Sequence, residues 1–231
     1  MFDEPIRDGV ILISGGLDSV SLLHILKHKN PDIKLYALNM YYGQRHKKEQ
    51  EYCKYNCDLL NVPYIEYNLQ FYNDIIKDVS AMVGNNDLEV PDKEYDPNEV
   101  PITYAPFRNA LFTIISAVFC ETHKLNTIYC AIHRGDSESN YWDCSPEFVT
   151  NMNSLLFMRS IRLIAPFMNI KKADIVKLGS TIPTLDFSKT WSCYNGGEKH
   201  CGHCSTCRER ILSFKTCNIE DPTEYLDNPY K

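Results

Sequence analysis

The stretch Val10-Ile11-Leu12-Ile13-Ser14-Gly15-Gly16-Leu17-Asp18-Ser19-Val20 decides the fold. Its four leading apolar residues, bounded by Gly9 and Ser14-Gly15-Gly16, read as a strand buried on both faces, the pattern of a parallel sheet. Leu17, Val20, Leu23 and Leu26 then recur at helical spacing until Asn30-Pro31 stops the helix. A strand, a tight turn and a helix in that order bring unpaired N–H groups and a positive dipole end to the turn, a seat for an anion. Gly15 and Gly16 let the backbone turn sharply and come close to a phosphate oxygen, and Ser14 and Ser19 add hydroxyl donors. Asp18 repels phosphate directly, so it suits loop orientation or the holding of Mg²⁺. The plainer alternative is a tight turn capped by Asp18 or Ser19. The stretch is neither a Walker loop nor a dinucleotide fingerprint.

Outward from this stretch, strands are expected at residues 34–42, 63–69, 127–132 and 163–166. Helices are expected at 45–61, 110–121, 145–157 and 171–178, with a long polar loop over 83–101. The alternation predicts an α/β fold, a doubly wound and mostly parallel sheet. Residues 1–184 form this domain. Beyond them composition shifts to Cys, Gly and polar residues, which predicts a small C-terminal subdomain over 185–231.

The 231 residues are 44% apolar and 12% aromatic, enough to offset the entropy of ordering a sizeable core. A net charge of −6 argues against sheathing a phosphate backbone and for a small substrate. No apolar run approaches the roughly 20 residues of a membrane span. Met1 to Asp8 lacks a secretory apolar core, so a cytoplasmic location and unpaired thiols are expected. Four of the ten cysteines, Cys193, Cys201, Cys204 and Cys207, are spaced C-x7-C-x2-C-x2-C. Four thiolates suit a closed, structural zinc site. An iron–sulfur cluster is the other metal option, weakened by the x7 gap and by the lack of Pro after Cys207. Free buried thiols are the bland reading, and His200 and His203 read as neighbours of the cluster.

Ser14 to Ser19 after an opening strand resembles the pyrophosphate-binding loop of the ATP pyrophosphatase (PP-loop) group, whose members split ATP into AMP and pyrophosphate. Together with Trp191-Ser192-Cys193-Tyr194-Asn195-Gly196-Gly197 and the cysteine array, the chain resembles the QueC family of 7-cyano-7-deazaguanine synthases. Tyr42-Gly43-Gln44-Arg45-His46, Arg108-Asn109, Asp143-Cys144 and Pro146-Glu147-Phe148 agree in order, as do Ala165-Pro166, Lys172-Ala173-Asp174-Ile175 and Leu178-Gly179. The resemblance covers about Val10 to Cys207. It differs at Phe107, where the family commonly has Gly, and at Tyr141-Trp142-Asp143-Cys144-Ser145, where it commonly has Tyr-Pro-Asp-Cys-Arg.

The resemblance implies an adenine nucleotide alpha hydrolase-like fold and a ligase forming carbon–nitrogen bonds in queuosine-type deazapurine biosynthesis. Such an enzyme converts 7-carboxy-7-deazaguanine and ammonia to the nitrile through an adenylated carboxylate and an adenylated amide, with ATP, Mg²⁺ and structural Zn²⁺. It implies small-molecule partners and a homodimer, with no membrane and no stable nucleic-acid binding. ATP contacts fall to Ile13, Ser14, Gly15, Gly16, Leu17, Asp18, Ser19 and Met40, and catalytic roles to Asp18, Lys172 and Arg108. Asp143, Trp191 and Asn109 are implied for the deazapurine pocket. The bland counterparts are a solvated Lys172, a surface Arg108, a loop carboxylate at Asp143 and a core tryptophan at Trp191. Two other functions are kept in view. One is a variant that stops at 7-amido-7-deazaguanine or passes the acyl group to another amine. The other is a zinc-ribbon nucleic-acid module, suggested by the cluster with Arg208 and Arg210.

Overall fold

A computed structural model describes residues 5–45, 47–83, 87–92, 96 and 98–229. The opening apolar run forms β1 (Gly9–Leu12), and the glycine turn leads into α1 (Leu17–Lys29). β2 (Leu35–Tyr41), α2 (Lys47–Leu59), β3 (Tyr64–Asn68) and α3 (Gln70–Ile76) follow. After the long loop come α4 (Arg108–His123), β4 (Thr127–Tyr129), α5 (Arg134–Glu138) and α6 (Pro146–Phe157). β5 (Arg162–Ile164), α7 (Lys172–Gly179) and α8 (Ser205–Thr216) complete the chain.

The five strands pair in parallel in the order β3-β2-β1-β4-β5. Side-chain alternation assigns each strand to two cores. Val10, Leu38, Met40 and Ile128 pack with Phe119 of α4 and with Phe148, Met152 and Leu156 of α6. Ile11, Leu35, Ala37 and Tyr129 pack on the other face with α1, α2 and α7, and with Phe214 of α8. The sheet is therefore covered on both faces, as an all-parallel sheet requires. Strand order reverses at β1, between β2 and β4, and a crevice opens there at the carboxyl ends of the strands.

Three helices were not expected from the sequence. α3 buries only Tyr72, Asn73 and Ile76, and α5 is a single turn held by the His133 ring and Asp136. α8 is the third, and it lies in the segment read as loop-rich. It buries Cys207, Arg210, Ile211 and Phe214, spaced as one helical face, and packs along α7. The part of the chain after 184 thus adds a helix to the sheet's second core. Among the described residues, no helix is long and apolar enough to cross a membrane.

Candidate active site

A cavity of about 250 Å³ occupies the crevice. Its floor is Leu12 to Ser14 after β1, Leu38 to Met40 at the end of β2, and Cys130 to Ile132 after β4. Gly15 takes a left-handed φ of +86°, and a Cβ there would stand 2.1 Å from the Glu49 carbonyl, so both conformation and space demand glycine. The two loop serines lock the turn. The Ser19 hydroxyl accepts the Ser14 N–H at 3.2 Å and donates to the Gly16 carbonyl, while the Ser14 hydroxyl accepts the Gly16 N–H. No side chain caps α1. The N–H groups of Leu17, Asp18 and Ser19, with no carbonyl a turn behind them, are free for an anion in the cavity.

Beside this cradle lies a charged group drawn from four elements. Lys172 at the start of α7 is buried, and its Nζ sits 2.5 Å from Glu209 of α8 and 3.4 Å from Asp18. The surrounding carboxylates raise its pKa above the usual lysine range against the cost of burial, so it stays a cation. Lys172 in turn holds Glu209 below the ordinary glutamate value, although burial alone would raise it. His133 is buried, and its Nδ1 accepts the Gly135 N–H at 3.0 Å, which leaves the proton on Nε2. That Nε2 faces Asp136 at 3.5 Å and Asp18 at 3.7 Å. Burial pushes the Asp136 carboxyl upward. Asp18 Oδ1 is buried with no hydrogen-bond partner among the described residues, an acceptor left over for a ligand.

The other half of the cavity is lined by Tyr42, Glu49, Arg108, Asn109, Phe112, Cys144 and Tyr194. Arg108 opens α4. Its guanidinium donates to the Tyr42 hydroxyl at 3.4 Å and has no carboxylate within ion-pair distance among the described residues. It is a fixed cation facing a cavity. Asp143 does not line the cavity. Its buried carboxylate accepts the Asn109 N–H at 3.1 Å, and its carbonyl accepts from Asn109 Nδ2 at 3.0 Å, so it holds the first turn of α4 beside Arg108. At the end of β2, Met40 lines the cavity, and Asn39 has its Nδ2 on the Ile13 carbonyl and its Oδ1 unpartnered among the described residues.

The four thiols Cys193, Cys201, Cys204 and Cys207 bring their Sγ atoms within 4.8 Å of one another, with no disulfide among them. Backbone N–H groups of Cys201, His203 and Cys204 point at Cys193 or Cys201 sulfur. Hydrogen bonding among the four sulfurs lowers Cys201 and Cys204, the latter to about 6, and raises Cys193 and Cys207. Four converging sulfurs held by N–H donors fit a tetrahedral zinc ion. None of the four lines the cavity. They tie down what does: Trp191 Nε1 donates to the Cys193 carbonyl, and the Trp191 N–H donates to Gly15 of the loop at 2.9 Å.

Of the residues picked from sequence, the structure brings Ile13, Ser14, Gly16, Leu17, Asp18, Ser19, Met40, Lys172, Arg108, Asn109 and Trp191 to one cavity. Gly15 shapes it from beneath, and Asp143 from the side. Reasoning from sequence missed Glu49, His133, Asp136 and Glu209. Arg208 and Arg210 do not present cations to a polyanion. Arg210 is fully buried on Thr190, Ser192, the Phe187 carbonyl and Asp221, and Arg208 bonds Asp92 and the His203 carbonyl.

Fold and site together define a doubly wound α/β protein with an anion cradle at its switch point and a four-thiol centre. Solved structures share the fold, among them NMN synthetase from Francisella tularensis, with a TM-score of 0.52 at 11% identity, covering 94% of this chain and 79% of that one. The U34-tRNA thiolase NcsA from Methanococcus maripaludis has a TM-score of 0.50 at 14% identity, covering 93% and 68%. The chain belongs to the family described as queuosine biosynthesis protein QueC, whose model matches residues 8–218. It is 36% identical over 219 residues to the 7-cyano-7-deazaguanine synthase of Caldicellulosiruptor saccharolyticus, covering 94% of each chain. It is 38% identical over 225 residues to 7-cyano-7-deazaguanine synthase 1 of Mesorhizobium japonicum, covering 95% of this chain and 94% of that one.

Proposed function

We propose that this chain makes 7-cyano-7-deazaguanine from 7-carboxy-7-deazaguanine, ammonia and two ATP, releasing AMP and pyrophosphate twice. One observation carries the reading: an anion cradle with a buried lysine shares its cavity with an arginine that has no carboxylate partner among the described residues. A carboxylate must attack an anionic triphosphate, so cations and oriented donors have to surround the leaving pyrophosphate. The N–H groups of Leu17 to Ser19 and the Lys172 ammonium take that part. The backbone at Met40 and the unpartnered Asn39 Oδ1 suit the edge of adenine. Arg108 suits the substrate carboxylate, and the ring of Trp191 and the side chain of Asn109 suit the deazapurine. Asp143 keeps Asn109 and Arg108 in place. Mg²⁺ fits the free Asp18 Oδ1, where it would neutralise phosphate charge. Zinc held by Cys193, Cys201, Cys204 and Cys207 would be structural, fixing Trp191 and α8.

We assign residues 1–184 to the ATP-binding domain and 185–231 to a zinc-binding subdomain docked on it, in a protein of the reducing cytoplasm. Two copies are expected to associate; Phe71 and Ile75 of α3 and Val118 of α4 are among the exposed apolar side chains that such an association could cover. The test is to incubate purified protein with 7-carboxy-7-deazaguanine, ammonia and Mg·ATP, then read product mass and AMP per product. Nitrile with two AMP is the expected result. Amide with one AMP marks the variant that stops halfway, and absence of AMP and pyrophosphate removes the reading.

A further inference from the structure

One cavity carboxyl group has no task in this scheme. Glu49 stands in the first turn of α2, half-buried, and lines the cavity together with Arg108, Tyr42 and Tyr194. Its backbone carbonyl presses on Gly15, which pins it to the loop assigned to ATP. Among the described residues its carboxyl makes no hydrogen bond and no ion pair. The other cavity carboxylates each have one oxygen engaged: Asp18 Oδ2 and Glu209 Oε2 face Lys172, and Asp136 Oδ2 accepts the backbone N–H of His133.

The reaction, meanwhile, needs a proton acceptor. When ammonia attacks the acyl adenylate, a C–N bond forms, the C–O bond to AMP breaks with its electron pair, and the nitrogen must shed a proton. When the adenylated amide collapses to the nitrile, the second C–O bond breaks and the nitrogen sheds its two remaining protons. Resting on the function proposed above, we infer that Glu49 is the catalytic base at nitrogen in both steps, taking these protons and passing them to water.

Burial pushes the Glu49 carboxyl up to about 8, with Arg108 opposing. An acid in that range matches a nitrogen proton far better than an ordinary glutamate does. The charged and titratable groups that share the cavity with it are Arg108 of α4, Tyr42 after β2, Tyr194 after Trp191, Lys172 of α7 with Asp18 of α1 and Glu209 of α8, and Asp136 of α5. Cys53 lies one turn along α2.

The test is Glu49→Gln, assayed with ammonia and with hydroxylamine, whose nitrogen becomes a stronger acid on attack and gives its proton to water unaided. The expected result is an ammonia-dependent rate lower by about 10²–10⁴-fold, with hydroxamate formation lower by less than about tenfold. Corrected for free ammonia, the wild-type rate rises with pH through about 8, and the Gln variant loses that rise. A carboxyl whose folded pKa lies above its unfolded one contributes stability at low pH that is lost as pH rises through the folded value. Glu49→Gln should therefore melt no lower than wild type above that pH. Equal losses with both nucleophiles, an unchanged ammonia rate, or a variant that melts well below wild type would each overturn the assignment. ATP–pyrophosphate exchange keeps the two readings apart. A wild-type chain without exchange strikes the proposed function, whereas normal exchange with failed Gln behaviour strikes Glu49 alone.

Discussion

The phosphate cradle and the thiol centre work on the same cavity in opposite ways. The cradle is backbone from one contiguous stretch, Ser14 to Ser19, locked by its own serine hydroxyls. The thiol centre is four side chains spread over fifteen residues, none of which lines the cavity. Its effect is delivered at a distance. Cys204 and Cys207 sit at the start of α8, which presents Thr206 and Glu209 to the cavity, while the Cys193 carbonyl holds the Trp191 ring in the run that also carries Ser192. Thr206 Oγ1 bonds the Ser192 carbonyl at 2.7 Å, and Trp191 bonds Gly15, so this region supports the cradle it does not form. Contact chemistry thus rests on a local motif, and its positioning rests on a remote one.

That contrast is most exposed to metal removal, where the largest effect is expected. A structural zinc contributes roughly 10–16 kcal/mol in peptides that fold around it. Losing even about 5 kcal/mol of that lowers Tm by about 10–20 °C in a chain of this size. Cys207→Ser, or stripping with a strong chelator, should therefore lower the melting temperature and abolish AMP release together, since α8 carries Glu209 and the cradle leans on Trp191. Stability lost with adenylation intact would break the contrast, because the thiol centre would then support nothing in the cavity.

The converse case, chemistry lost with the fold kept, falls to Lys172. Removing it alone would leave the half-buried carboxylates of Asp18 and Glu209 as unpaired like charges, which destabilises the fold for a reason unrelated to chemistry. The double variant Lys172→Met, Glu209→Gln removes the cation with its nearest partner. It should hold Tm within a few degrees while AMP release falls by about 10²–10³-fold, the usual loss of one preorganised charge at a developing anion. Calorimetry beside a pyrophosphate assay separates the two. A large fall in Tm with modest kinetic loss would move Lys172 from chemistry to scaffold.

The same division explains what could be read from sequence. The cradle was legible because every part of its physics, from buried strand to glycine turn to helix, lies within a dozen residues. The thiol array was legible because ligand spacing is local. α8 was not, since its buried face includes Arg210, a charged residue that only Thr190, Ser192 and Asp221 make tolerable inside. α5 has no apolar residue to show a period, and its cap comes from His133. Glu49 sits in Lys47-Lys48-Glu49-Gln50-Glu51, which reads as a solvated helix face. Only the close approach of α2 to Gly15 turns it toward a cavity.

The smallest expected effect concerns Phe107 and Trp142, next in sequence to the cavity residues Arg108 and Tyr141, where the two departures from the family's pattern meet. Phe107, which precedes α4, holds a left-handed φ of +56°, the conformation that explains why glycine is common at this position. Its ring packs edge-on against Trp142 at 5.0 Å, and Trp142 also meets Phe148 at 5.8 Å. Left-handed backbone costs about 1–2 kcal/mol in a residue with a Cβ, and an edge-to-face aromatic pair returns about 0.5–1.5 kcal/mol. The two terms nearly cancel, so Phe107→Gly alone should change stability by less than about 1 kcal/mol. In a Trp142→Ala background the ring contact is already gone, and the same substitution should stabilise by about 1 kcal/mol. A double-mutant cycle in urea measures the difference. Zero coupling would mean that the two aromatics are independent replacements, whereas the expected coupling makes Trp142 the residue that lets a phenylalanine occupy a glycine's place.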